Sequence, residues 1–128
     1  MPHLVIEYSA NLENRVDIGG LCASLHDAML ATGLFELGAI RVRAYAAKHY
    51  AVADRMEVNA FADLVLRIGT GRSPTDKKRA GETIMAAAKA YLVSHFETPH
   101  FALSMEIREI DAAFSWRDNA MHARLRSA

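Results

Sequence analysis

The chain has a single cysteine, Cys22, among its 128 residues, so no intrachain disulfide can close and a reducing compartment is expected. Neither charge is in excess. Fifteen Lys and Arg are matched by fifteen Asp and Glu, which leaves no general field to attract nucleic acid or an anionic membrane. Any anion must be recognised by a few placed cations. The sequence lacks a run of about 18 apolar residues, so no membrane span is expected. It also lacks a charged leader followed by an apolar stretch, so no signal peptide is expected and a cytoplasmic location is the default. The six histidines (His3, His26, His49, His95, His100 and His122) show neither HExxH nor paired-ligand spacing, so no metal site is expected. There is no GxSxG elbow for a serine hydrolase and no GxxxxGK[ST] phosphate loop. Cys22 falls within a helical pattern and reads as a small buried apolar residue.

What is present can bury a core: 52% of the residues are hydrophobic against 23% charged, and the length suits one domain. Residues 3–8 are rich in β-branched and aromatic types and read as a strand. From about Asp17 to Thr32, Leu21, Leu25 and Met29 recur at helical spacing, and Gly33 is a natural stop. Residues 40–45 alternate strictly, with Ile40, Val42 and Ala44 on one face and Arg41, Arg43 and Tyr45 on the other. The same order then repeats. Residues 61–68 read as a strand, and Gly69-Thr70-Gly71-Arg72 as a connector. Ser73, Pro74 and Asp76 form a helix start, and the spacing predicts a helix to about His95. Residues 101–108 alternate as a fourth strand, and no clear period runs through 111–128.

The expected fold is therefore α/β in layering, an α+β two-layer sandwich built from a tandem β-α-β repeat. Units 2–46 and 59–110 plus a tail, 111–128, form one domain, with a four-stranded mixed sheet and two helices on one face. Apolar residues on both sides of the strands predict that copies associate through the open face.

Three features could carry chemistry. Pro2 becomes a free secondary amine if Met1 is removed, and only then can it act as a base. Burial and nearby arginines would lower its pKa towards neutrality. The other reading is that Met-Pro is an ordinary start. Arg41 and Arg43 share one strand face. They are either carboxylate anchors or members of a solvated, ion-paired face. The glycine-rich connector at a helix start, with Arg72, can hold an anion, or is simply a flexible loop.

Certain stretches, taken in order, resemble the tautomerase superfamily over essentially the whole chain. They are Met1-Pro2-His3 leading into Glu7-Tyr8-Ser9-Ala10-Asn11; Ala31-Thr32-Gly33-Leu34-Phe35; Ile40-Arg41-Val42-Arg43; Ile68-Gly69-Thr70-Gly71-Arg72-Ser73; Leu103-Ser104-Met105-Glu106-Ile107; and Asn119-Ala120-Met121-His122-Ala123. Within that superfamily they resemble the isomerases of carboxylated hydroxymuconates from aromatic catabolism. The resemblance implies a homotrimer and a cofactor-independent proton transfer. In that picture Pro2 shuttles the proton, Arg41 and Arg72 engage substrate carboxylates, and Arg43 is a further substrate-binding candidate. The implied partner is a small polycarboxylate dienol, with no nucleic acid, membrane, metal or cofactor. Two other expectations stay open: a different activity on the same scaffold, such as phenylpyruvate-type tautomerisation or dehalogenation, and a non-catalytic trimeric binding module.

Overall fold

In the computed structural model the residues described are 1–126, so the last two residues of the 111–128 tail lie outside them. Strands β1 (His3–Ser9), β2 (Arg41–Ala47), β3 (Ala60–Gly69) and β4 (Phe101–Ile110) form one sheet in the order β2-β1-β3-β4. The outer pairs β1/β2 and β3/β4 are parallel and each closes over a helix. The central pair β1/β3 is antiparallel and joins the two β-α-β units. The four-stranded mixed sheet expected from the tandem repeat is thus present.

Helix α1 (Ile18–Ala31) begins where the Asp17 carboxylate accepts from the Gly20 amide at 3.1 Å. It ends at Thr32, and Gly33 follows at φ 71°, a left-handed conformation that favours glycine. Helix α2 (Pro74–Tyr91) is capped by Ser73, whose Oγ accepts from the Asp76 amide at 3.1 Å. Pro74 occupies its first turn, and Asp76 and Lys89 complement its two dipole ends. It stops earlier than its apolar spacing predicts. Leu92 leaves helical geometry at φ −99°, ψ 15°, and a separate short turn, α3 (Val93–Phe96), follows. The tail, without a period in sequence, contains α4 (Ala120–Arg126).

The core lies between the helices and one sheet face. Leu4, Ile6 and Tyr8 of β1 and Leu64, Leu66 and Ile68 of β3 pack with Leu21, Leu25 and Met29 of α1 and Ala80, Ile84 and Ala88 of α2. Burying each large aliphatic side chain stabilises the fold by about 1.5–3 kcal/mol. Among the described residues no helix is long and apolar enough to cross a membrane.

The open face differs from the apolar surface the sequence suggested. Its register makes three rows that span all four strands: Arg41, His3, Arg67 and Arg108; then Arg43, Val5, Val65 and Glu106; then Tyr45, Glu7, Asp63 and Ser104; Phe61 and Ile110 lie beyond them on the same face. A cationic row and an acidic row flank one with a valine pair at its centre. Alternation places residues on this face, but their charges offset along the strands rather than being excluded.

Candidate active site

The topology brings three element ends together. Because β1 and β2 are parallel, their starts meet: the Arg41 amide donates to the Pro2 carbonyl at 3.2 Å. Because β1 and β3 are antiparallel, the end of β3 and the connector after it lie beside the start of β1. In that connector Gly71 adopts φ 105°, where an L side chain is strained, so glycine lets the chain turn into α2 and present Arg72. Pro2 itself is buried.

Arg72 is held firmly. Its guanidinium sits 4.9 Å over the Phe35 ring, Nη2 donates to the Leu34 carbonyl at 3.2 Å, and Nη1 reaches the Gly69 carbonyl at 3.5 Å. Arg41 Nη1 contacts the Met1 sulfur and lies 3.5 Å from the Ala39 carbonyl.

Two cavities meet at Met1. One, of about 470 Å³, is walled by Arg41, Arg67, Trp116 and Arg117. The other, of about 440 Å³, is walled by Pro2, Phe35, Thr70, Arg72 and Arg117. Both are in the range of small-molecule sites. The structure thus brings Pro2, Arg41 and Arg72 together. Arg43 is not among the residues lining either cavity. Its Nη1 lies 3.2 Å from His3 Nδ1 on the open face.

The electrostatics at this end are unbalanced. Burial, then Arg117, Arg72 and Arg41, lower the pKa of the Met1 ammonium from its usual value. His3 is pushed down to about 4, first by burial and then by Arg67, Arg43 and Arg41. It is therefore neutral near pH 7, and its Nδ1 can accept from Arg43. Among the described residues no ion pair joins Arg41, Arg72 or Arg117 to a carboxylate. Nor does any cluster of three or more His, Cys, Asp or Glu among them lie where it could hold a metal ion.

Arg117 is the site residue that sequence reasoning missed. It comes from the tail, and contacts distant in sequence position it. The Asn119 side chain donates to the Gly38 carbonyl at 2.8 Å, and Arg126 makes a two-point pair with Glu36 at 2.6 and 2.7 Å. A side chain at Gly38 would meet His122, so α4 lies directly against the turn before β2. The one local signal was Asn119, a capping residue whose Oδ1 accepts from the Met121 amide at 3.0 Å.

The same architecture occurs in proteins of little sequence likeness. The W0 fused 4-OT wild type symmetric trimer is 14% identical, with a TM-score of 0.65 over 91% of this chain and 93% of that one. The fold is therefore tautomerase-like. The chain belongs to the 5-carboxymethyl-2-hydroxymuconate isomerase family, whose model matches residues 2–125. The 5-carboxymethyl-2-hydroxymuconate Delta-isomerase of Escherichia coli is 33% identical over 123 residues, covering 96% of this chain and 98% of that protein. The crystal structure of a 5-carboxymethyl-2-hydroxymuconate isomerase from Deinococcus radiodurans R1 is 38% identical, with a TM-score of 0.90 over 98% of this chain and 94% of that one.

Proposed function

We propose that the chain isomerises 5-carboxymethyl-2-hydroxymuconate in aromatic catabolism, with the amine of Pro2 as the base once Met1 has been removed. The observation that supports this most directly is the position of Pro2. It is buried at the meeting of three element ends, with Arg41 beside one cavity and Arg72 beside the other. The burial and the arginines that lower the Met1 ammonium would act in the same direction on a Pro2 amine one residue along, favouring the neutral, basic form.

The reaction is a 1,5-shift of a proton. Pro2 nitrogen accepts the proton of the 2-hydroxyl, so the O–H bond breaks and the 2,4-diene becomes a dienolate. The same proton is delivered to C-5, forming a C–H bond, while the double bonds move to C2=O and C3=C4. The balance closes with one base and no further reactant. Arg41 and Arg72 hold the terminal carboxylates and stabilise the negative charge as it spreads over the dienolate.

The active form is a homotrimer joined through the open faces. A face with a cationic row on one side and an acidic row on the other complements a rotated copy of itself. Phe114 and Trp116, 76% and 85% exposed in the single chain, add apolar surface that a neighbour would cover.

The test is an ultraviolet assay with 5-carboxymethyl-2-hydroxymuconate on protein shown by intact mass to begin at Pro2. Turnover is expected, and Pro2→Ala should lower kcat by at least about 10²-fold, the scale of a lost general base. A wild-type rate in Pro2→Ala, or the same activity in protein retaining Met1, would exclude the amine as base.

A further inference from the structure

We infer that Arg117 binds the carboxymethyl arm of the substrate and so sets the preference for a tricarboxylate over a dicarboxylate. The inference rests on the isomerase function proposed above. Three observations carry it.

The first is placement. Arg41 lines one cavity and Arg72 the other, whereas Arg117 lines both, at the junction marked by Met1. An extended six-carbon dienoate has a carboxylate at each end and its arm on C-5, the carbon to which the amine delivers the proton, so the arm lies beside the amine at that junction. The end carboxylates match the two outer arginines, and the branch matches the shared one.

The second is charge. Arg41, Arg72 and Arg117 all lie close enough to oppose the charge on the terminal amine, and none has an ion-pair partner among the described residues. Arg67 and Asp118 also line one cavity and bring one charge of each sign, and Glu36 lines the other but is taken up by Arg126. The excess of three guanidinium charges that remains around one small site is best offset by a ligand bearing three negative charges. A dicarboxylate would leave one of them uncompensated.

The third is support. The segment carrying Arg117 is anchored just after it, where Asn119 donates to the Gly38 carbonyl at 2.8 Å, and its start is shaped by a turn in which the Asp111 carboxylate accepts from the Ala113 amide at 2.9 Å. The segment also borders the residues just before β2, so a guanidinium on it is positioned by the same turn that leads into Arg41. Such anchoring lowers the entropy lost on binding.

The experiment compares 5-carboxymethyl-2-hydroxymuconate with 2-hydroxymuconate, which lacks the arm. Wild type, Arg117→Ala and Arg117→Lys are each confirmed to begin at Pro2. In Arg117→Ala the ratio of kcat/KM for the tricarboxylate to that for the dicarboxylate should fall about 10- to 100-fold, the scale of one charge-assisted hydrogen bond. Arg117→Lys should recover most of that ratio, because the arm needs a cation more than a fork. An unchanged ratio in Arg117→Ala overturns the assignment, whether both substrates are lost equally or neither is affected. Wild-type protein inactive on both substrates overturns the isomerase reading itself, and this inference with it.

Discussion

At the end of the sheet where β1 finishes and β3 begins, Asn59 is buried and its side chain is fully engaged. Its Nδ2 donates to the Val52 carbonyl at 3.1 Å and to Asp54 at 2.6 Å, and its Oδ1 lies 2.9 Å from His100 Nδ1. Its carbonyl accepts from Asn11 at 2.8 Å, its amide donates to the Met56 carbonyl at 3.0 Å, and Ser9 bonds the Phe61 amide nearby at 2.9 Å. At the opposite end Pro2 is surrounded by Arg41, Arg72 and Arg117, and no carboxylate pairs with any of them among the described residues. One end pairs most of its polar groups internally, the buried Asn11 Oδ1 excepted, and fastens the 48–59 loop to the sheet. The other leaves like charges facing one another, an arrangement that costs stability until an anion arrives. Polar residues are equally available at both ends, so their different disposition separates a structural role from a ligand-binding one.

The sharpest way to break this contrast is at Asn59. Asn59→Ala removes three side-chain hydrogen bonds at a buried position and takes a partner from Asp54 and from His100. It should lower the unfolding free energy by about 2–4 kcal/mol in urea titration. The kcat of the remaining folded protein should be close to that of wild type. A neutral effect on stability would mean that the network is replaceable by water and that the two ends are not so different.

Arg41 tests the other side of the comparison. Arg41→Met keeps much of the aliphatic stem and removes the charge. It should lower kcat/KM for the proposed substrate by about 10- to 100-fold, equivalent to about 1.5–3 kcal/mol of lost binding in the transition state. Its unfolding free energy should equal that of wild type or exceed it by up to about 1 kcal/mol, because repulsion among the arginines is relieved. A clear loss of stability would show that Arg41 is a structural residue, and the contrast would fail there.

This division was only partly visible in the residue pattern. Strand β3 alternates throughout and β4 as far as Arg108, and α2 announces itself through Ser73, Pro74 and Asp76, so those elements were legible locally. Arg41 stood out only together with Arg43, as two cations on one strand face, and Arg72 as the cation of a glycine-rich connector before a helix; the family resemblance set Arg41 and Arg72 apart. The early end of α2 at Leu92 was not legible, since the apolar spacing continues past it. Arg117 and Asn59 were hidden for a different reason. Asn119 and Gly38 are 81 residues apart, and Asn11 and Asn59 are 48 apart, so no local period marks their partnership. Arg43 shows the converse limit. It shares the open face with Arg41, but it lies two residues further along the strand from Pro2, and its guanidinium reaches only as far back as His3. Alternation identifies a face, and only the sheet order says which end of that face reaches the amine.

The smallest expected effect belongs to His3, which lies in the cationic row and couples the site's field to folding. Its folded pKa is about 4, against an ordinary value near 6.5, because burial and then Arg67, Arg43, Arg41 and the terminal amine disfavour its protonated form. Between those two values the unfolded chain binds more protons than the folded one. Stability from this residue is therefore fully present above about pH 6.5 and declines as pH falls towards about 4. Glu36, Asp54 and Glu106 have lowered pKa values and also withdraw stability on acidification, but only in the range where carboxylates protonate, near and below the foot of the histidine window. Replacing His3 by Gln keeps a neutral acceptor for Arg43 and removes the titration. In urea titrations at several pH values, His3→Gln and wild type should run parallel above pH 6.5 and diverge below it, with the variant losing less. Because His3 is only partly buried, solvent screening keeps the divergence small. Curves that stay parallel down to pH 4 would mean that the arginine row does not reach His3, and the crowding of cations at this end would then be confined to the terminal amine.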